Sequence, residues 1–161
     1  PNKTRASCLR EKFLEFGLPS FTVQDQAKAR EIQRNMGVEE VGLYTELLPF
    51  DGGWTGLCDT SEYSWNAPYA TAWIAMAPYN CGWHNWAVTR CSGDTMGKKA
   101  LDAAAGTLSM SALDIICDPK LLRSAKAEWE ERMNGRTYQC LLEDEMTPPI
   151  DLNRDVMEKY K

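Results

Sequence analysis

The apolar positions of this chain fall into helical spacing near both ends and lose it in the middle. Leu9, Phe13, Leu14 and Phe16 recur at helical intervals behind Ser7, a residue type that caps helices, and Gly17 supplies the stop. The link Leu18-Pro-Ser-Phe-Thr22 cannot continue that helix. Thr22 with Asp25 three residues on then reads as a capping box opening a second helix, with interspersed Glu and Lys/Arg on a wet face, that ends at Gly37. Further along, Asp94 caps a long helix from Thr95 to Cys117, with Met96, Ala100, Ala104, Leu108, Ala112 and Ile115 on one stripe. Its small residues, Gly97, Ala103, Ala105, Gly106 and Ser109, leave room for another backbone to come close. Asp118-Pro119 opens one more helix, whose stripe Leu122, Ala125, Trp129 and Met133 runs to Gly135. Pro148-Pro149 and the charges around it predict an extended tail with a short final helical turn.

The middle reads differently. From Val38 to Thr55 the signals are mixed, with Asp51-Gly-Gly53 as a turn, so this stretch is predicted irregular with room for one short element. Between Pro68 and Pro78, Tyr69 to Ala77 is apolar on both alternating faces, which predicts a strand covered on both sides. Trp86 to Arg90 predicts a second, short alternating strand. Together these elements predict an α/β fold, with helices packed on a few strands of a mixed sheet.

Composition narrows the class. A chain of 161 residues, 43% hydrophobic and 25% charged, is the size and make-up of one globular domain, which predicts a soluble protein. The longest nearly uncharged run, Ser64 to Thr89, is broken by Pro68, Pro78 and Gly82, so no transmembrane segment and no membrane partner are expected. A net charge of -5 without a Lys/Arg cluster argues against nucleic acid. The start, Pro-Asn-Lys-Thr-Arg, lacks the apolar core of a secretory signal, and opening on Pro fits removal of an initiator Met as well as it fits a fragment. Six scattered cysteines (Cys8, Cys58, Cys81, Cys91, Cys117, Cys140) form no CxxC pair, which predicts reduced thiols and a cytoplasmic location.

Candidate chemistry concentrates between Gly53 and Ala104. The sole histidine, His84, lies in Pro78-Tyr-Asn-Cys-Gly-Trp-His-Asn-Trp86, where Gly82 lets the loop turn tightly. Two readings stand: His84 gives one nitrogen to a metal, or it is a hydrogen-bonded histidine packed between Trp83 and Trp86. Asp59 and Glu62 lie on a loop before the predicted strand, where they could ligate a cation, orient a ligand or make local turn hydrogen bonds. Ser61 and Ser64 have neither a base fixed nearby nor a GxSxG context, which argues against a serine hydrolase. Trp54, Tyr63, Trp65, Tyr69, Trp73, Tyr79, Trp83 and Trp86 either line a pocket for an aromatic acyl or amide substrate or form core and rim of the sheet; for Trp73 the core is expected. Lys98 and Lys99 could attract an anion or simply be solvated. A small metal site from His84, Cys81 and Asp59 matches no closed tetrahedral pattern.

Several of these stretches resemble one family. Pro1-Asn2, Gly17-Leu-Pro-Ser-Phe-Thr22, Cys58-Asp-Thr-Ser-Glu-Tyr-Ser-Trp65 followed by Pro68, Gly82-Trp-His-Asn-Trp86 and Thr95-Met-Gly-Lys-Lys-Ala-Leu101 with Ala103-Ala104 follow one another as in the C-terminal part of amidohydrolases of the aminobenzoyl-glutamate hydrolase B-subunit type. That type lies within the zinc peptidase superfamily of aminoacylase and carboxypeptidase G. Ser61 stands where the family has Gly, Glu62 where it has Asp, and Lys98 where it has His, and one extra residue separates Gly82 from His84.

The resemblance implies a single partial domain from Pro1 to Lys161, equivalent to the C-terminal segment of a two-metal catalytic domain. His84 would be a ligand of a divalent metal, zinc first and manganese second, with Asp59, Ser61, Glu62, Trp83 and Trp86 around substrate or ligand. The reaction implied is hydrolysis of the amide of an N-acyl amino acid or an aminobenzoyl-glutamate-like compound. A metal hydroxide also needs a bridging carboxylate and a general base, and by the resemblance these belong to an N-terminal half that would be the chain's partner. Family members dimerise through a lid domain that also has no counterpart here. The chain alone is then expected to be inactive. The alternative is a non-catalytic truncated relative, or an association module that completes a partner's sheet.

Overall fold

A computed structural model describes residues 1–48 and 59–160. All regular structure among them is helical, so the expected α/β fold is corrected to an all-helical one. In chain order the helices are α1 (Lys3–Phe16), α2 (Val23–Met36), α3 (Ser61–Asn66), α4 (Trp86–Ser92), α5 (Thr95–Cys117), α6 (Pro119–Met133) and α7 (Arg154–Met157), followed by a 3-10 turn, Glu158–Tyr160. The expected turn at Asp51-Gly-Gly53, together with Trp54 and Cys58, lies outside the described residues.

The end signals that rest on side-chain chemistry hold. Thr22 and Asp25 form the capping box of α2, Gly37 closes it in a left-handed conformation, Asp94 caps α5, and Asp118 caps α6 with Pro119 in its first turn. One start moves. α1 begins five residues earlier than a cap at Ser7 allows, because buried Asn2 caps it, its Oδ1 accepting from the Arg5 N–H at 2.9 Å. The Nδ2 of Asn2 donates to the Ala125 carbonyl at 2.8 Å, and Glu128 of α6 accepts from the N–H groups of Lys3 at 2.6 Å and Thr4 at 2.9 Å. A carboxylate on the orphan donors of a helix N-terminus stabilises α1 and fixes α6 against it.

Both predicted strands are corrected. Tyr69 to Ala77 is irregular and pairs with no strand among the described residues, and its Trp73, expected in a core, is 56% exposed. Trp86 to Arg90 is the start of α4. Asn85 caps it, its Oδ1 accepting from the Ala87 N–H at 2.9 Å, so Ala87 and Cys91, four apart, turn inward together.

α5 is the centre, with α1, α4 and α6 packed on it and α1 also touching α6. At Gly97 a Cβ would stand 2.5 Å from the Ser92 carbonyl oxygen, so the residue has to be glycine for the α4–α5 corner to close. The buried face of α5 is Met96, Gly97, Ala100, Ala103, Thr107 and Ser111, sharing only Met96 and Ala100 with the expected stripe. By length and composition alone α5 is long and apolar enough to cross a membrane, a property that an uncharged run does not reveal because scattered charges interrupt it. Two of those charges are tied to other helices, Lys99 to Asp25 at 2.5 Å and Asp114 to Lys12 at 2.9 Å.

Ala29 and Ile32 of α2, Leu43, Cys81, Ala87 and Cys91 of α4, and Met96 of α5 make one apolar core, with Phe21, Met36 and Ala77 at its margin. Burying each larger side chain there contributes about 1.5–3 kcal/mol. The segment from Asn134 onward is exposed and carries α7.

Candidate functional site

Beside the site, α2 carries two glutamines seven residues apart, on the face that buries Ala29 and Ile32. Gln26 accepts from the Leu43 N–H at 2.9 Å and donates to its carbonyl at 3.1 Å. Fully buried Gln33 accepts from the Gly42 N–H at 2.8 Å and donates to Oδ1 of Asn80 at 2.8 Å. Asn80 in turn donates to the Glu39 carbonyl at 2.9 Å, and Tyr79 N–H bonds to the Gly42 carbonyl at 3.2 Å. Two irregular segments that form no ladder are thereby held side by side by side-chain amides that imitate one. Sequence reasoning missed this pair, although their seven-residue spacing on an otherwise apolar face was the available signal.

Tyr44, Tyr79, Asn80 and Cys81 of these two segments are among the residues lining an open groove of about 1020 Å³. Leu9 and Phe13 of α1, Tyr44, Trp73, Tyr79 and Trp83 are among its apolar walls, and Arg10 and Glu46 are its charged groups. Trp73 and Trp83 meet edge to face at 5.4 Å between ring centres, and Tyr44 meets Tyr79 likewise at 4.7 Å. Part of the predicted aromatic pocket therefore exists, built on coil rather than on a sheet.

The loop beside it is unusual in its backbone. Asn80, Gly82 and His84 have φ of 49°, 66° and 59°, three left-handed residues within five. His84 follows Trp83 and its ring is exposed, so the packed-histidine reading is set aside: Trp86 is exposed too, and no core closes over the imidazole. Cys81 points the other way, into the core with Cys91 and Met96. Burial raises the Cys81 thiol above its usual range, and burial, then the neighbouring Cys81 and Asp94, pushes Cys91 up to about 11. Neither is a thiolate at neutral pH.

Asp59 to Trp65 is not a loop throughout: its second part is α3. Asp59 and Ser61 are exposed, and Glu62 is half-buried against Tyr138, whose hydroxyl is pushed up to about 12, first by the hydrogen bond with Glu62 and then by desolvation. Trp129 donates to the Ser64 carbonyl at 2.8 Å, and Arg136 lies over the Trp65 ring at 5.7 Å. These contacts tie α3 to α6 and the segment after it, around a second cavity of about 190 Å³ lined by Asn2, Trp65, Tyr69, Trp129, Arg132 and Arg136, among others. Trp65 and Tyr69 thus belong here and not to the groove.

Among the described residues no three His, Cys, Asp or Glu side chains are grouped to hold a metal. His84, Cys81 and Asp59 in particular do not form a site of their own. The donors present fit one ligand of a larger set rather than a complete set.

Lys99, read as solvated or anion-attracting, is engaged by Asp25. That carboxylate also accepts from Thr22 and from the Thr95 hydroxyl, and the hydrogen bonds of Lys99 and Thr95 hold it far below the usual carboxylate range. Asp94 accepts from Lys28 at 2.8 Å and from the Thr95 N–H at 2.6 Å, bonds that lower it to about 2. Lys98 is exposed.

The chain is distantly homologous to part of an amide hydrolase. The relative is the B-subunit of p-aminobenzoyl-glutamate hydrolase from Escherichia coli K12, 20% identical over 176 aligned positions that cover 92% of this chain and 37% of that protein. The chain therefore spans little more than a third of the length of the relative it matches. No family model matches the chain, and no solved structure matches it.

Proposed function

We propose that this chain is part of a metal-dependent amidohydrolase, presenting one metal-binding imidazole and an aromatic groove, with the remaining ligands and the general base supplied by polypeptide outside it. The observation that carries this reading is His84: an exposed imidazole on a left-handed turn, directly after a tryptophan that lines the groove. A side chain other than glycine or asparagine in that conformation is held against a backbone preference of about 1 kcal/mol. The homology to an amide hydrolase gives the imidazole a use.

A divalent metal, zinc before manganese, would polarise the amide carbonyl and turn water into a hydroxide nucleophile. The chain's own residues do the rest of what falls to them. His84 offers a ring nitrogen outside the core. Trp73, Trp83 and Tyr79 stack an aromatic acyl group and keep water from it, and Arg10 draws a carboxylate. Asp59, Ser61, Glu62 and Trp86 stand in supporting roles around the ligand set. The substrate class is an N-acyl amino acid or an aminobenzoyl-glutamate-like amide.

The test measures bound zinc and release of glutamate from p-aminobenzoyl-glutamate, first for this chain alone and then for a chimera in which it replaces its aligned stretch in the E. coli relative. Stoichiometric metal and turnover in the chimera, both lost in His84→Ala, are expected. Turnover by the isolated chain, or a His84→Ala chimera that keeps metal and rate, overturns the reading. The second reading, a non-catalytic relative, is favoured by the lack of a grouped ligand set among the described residues. Its form as a module completing a partner's sheet is set aside, since the described residues contain no strand to add.

A further inference from the structure

α5 carries two stripes of identical spacing. Met96, Ala100, Ala103, Thr107 and Ser111 face inward; Leu101, Ala105, Leu108, Ala112 and Ile116, each five residues on, face outward. A shift of five residues is about 140° around a helix, so the second stripe lies nearly opposite the first. The larger apolar residues are on the outside: Leu101 is 67% and Ile116 76% exposed, whereas the inner stripe is mostly Ala, Thr and Ser. A soluble helix normally puts its leucines inward. From Leu101 to Ile116 the outer stripe carries no charge over about 22 Å, with Lys98 before it and Asp102 at its side.

We infer that the outer stripe of α5 is the seat of the polypeptide corresponding to the part of the E. coli relative outside the aligned stretch, through an uncharged apolar surface of that polypeptide. This rests on the reading of the chain as one part of a larger catalytic unit. The relative extends well beyond the 37% of its length that aligns, so a chain of this kind has a neighbour to offer. Size decides against a second copy. A stripe about 22 Å long and about 10 Å wide gives on the order of 200 Å² per copy, while a specific dimer needs about 800 Å² per partner. Within one folded unit the same small contact suffices, because covalent linkage supplies the effective concentration that a free partner lacks.

The experiment places Leu101→Gln, Leu108→Gln and Ile116→Gln together in this chain alone and in the chimera with the E. coli relative. Alone, the triple variant is expected to melt within about 2 °C of its parent and to bind less of an apolar dye. In the chimera the parent binds little dye, and the variant loses at least about 10 °C. A neutral variant in both settings overturns the inference. So does sedimentation of the isolated chain as a dimer that the triple variant dissociates, a result read without the chimera. Metal and turnover are not part of this readout. A chimera that covers the stripe but takes up no zinc sinks the functional proposal and leaves this one standing.

Discussion

Two regions of the molecule handle similar problems in opposite ways. At the junction of α2 and α5, a nearly fully buried carboxylate, Asp25, meets Thr22, Thr95 and Lys99, and beside it Asp94 meets Lys28 and Arg90, so charges are buried and each has partners. In the stretch from Tyr69 to Trp86 the side chains are strongly apolar, yet Trp73 and Trp83 stay more than half exposed. The carboxylates are surrounded by donors from three helices and sit inside the fold, whereas the tryptophans meet each other edge to face at its surface.

The largest way to break this contrast is Asp25→Ala. It leaves Lys99 without its carboxylate and removes the capping box of α2, and the expected loss is about 3 kcal/mol in urea unfolding. Gly42→Ala should follow at about 2 kcal/mol. Its φ of 82° disfavours a side chain, and the added Cβ would push Gln26 off the Leu43 backbone. Acid probes the same junction. Asp94 falls from the ordinary 3.8 to about 2 in the folded chain, and Asp25 lower still. Groups depressed on folding add stability above the unfolded value and lose it as pH falls through the folded one. The melting temperature should therefore drop from about pH 4 towards pH 2, and less steeply in Asp94→Asn.

Smaller effects are expected in the open stretch. His84→Gly relieves the left-handed strain and should leave stability unchanged or raised by up to about 1 kcal/mol, while abolishing metal uptake in the chimera if the imidazole is a ligand. Trp73→Ala should lower stability by less than about 1 kcal/mol. A loss of about 3 kcal/mol there, measured by urea unfolding, would show a buried core tryptophan and erase the contrast.

Local chemistry made much of the helical framework legible in advance. The Thr22–Asp25 box, Asp94, Asp118-Pro119 and Gly37 act through atoms a few residues away, so their meaning does not depend on the rest of the fold. The two strands were misread for the converse reason. An apolar run between prolines has no secondary structure of its own until a neighbouring strand offers a ladder, and Tyr69 to Ala77 pairs with none among the described residues, while one cap, Asn85, turned Trp86 to Arg90 into a helix. The site divides along the same line. Trp73, Tyr79 and Trp83 were singled out and do line one groove, but Arg10 joins it from α1, and Gln26 and Gln33 of α2 hold the Leu43 and Gly42 backbone beside it; all three were missed.

By itself, the sequence determined the bounds of α2 and α5, the start of α6 and which loop holds the sole imidazole, because caps, glycine turns and residue identity are short-range properties. Only the tertiary structure decided that no strand forms among the described residues, that α5 turns its leucines outward and that two glutamines clamp the backbone of Gly42 and Leu43. Those outcomes depend on which surfaces meet, and an apolar pattern records the need for a partner without naming it.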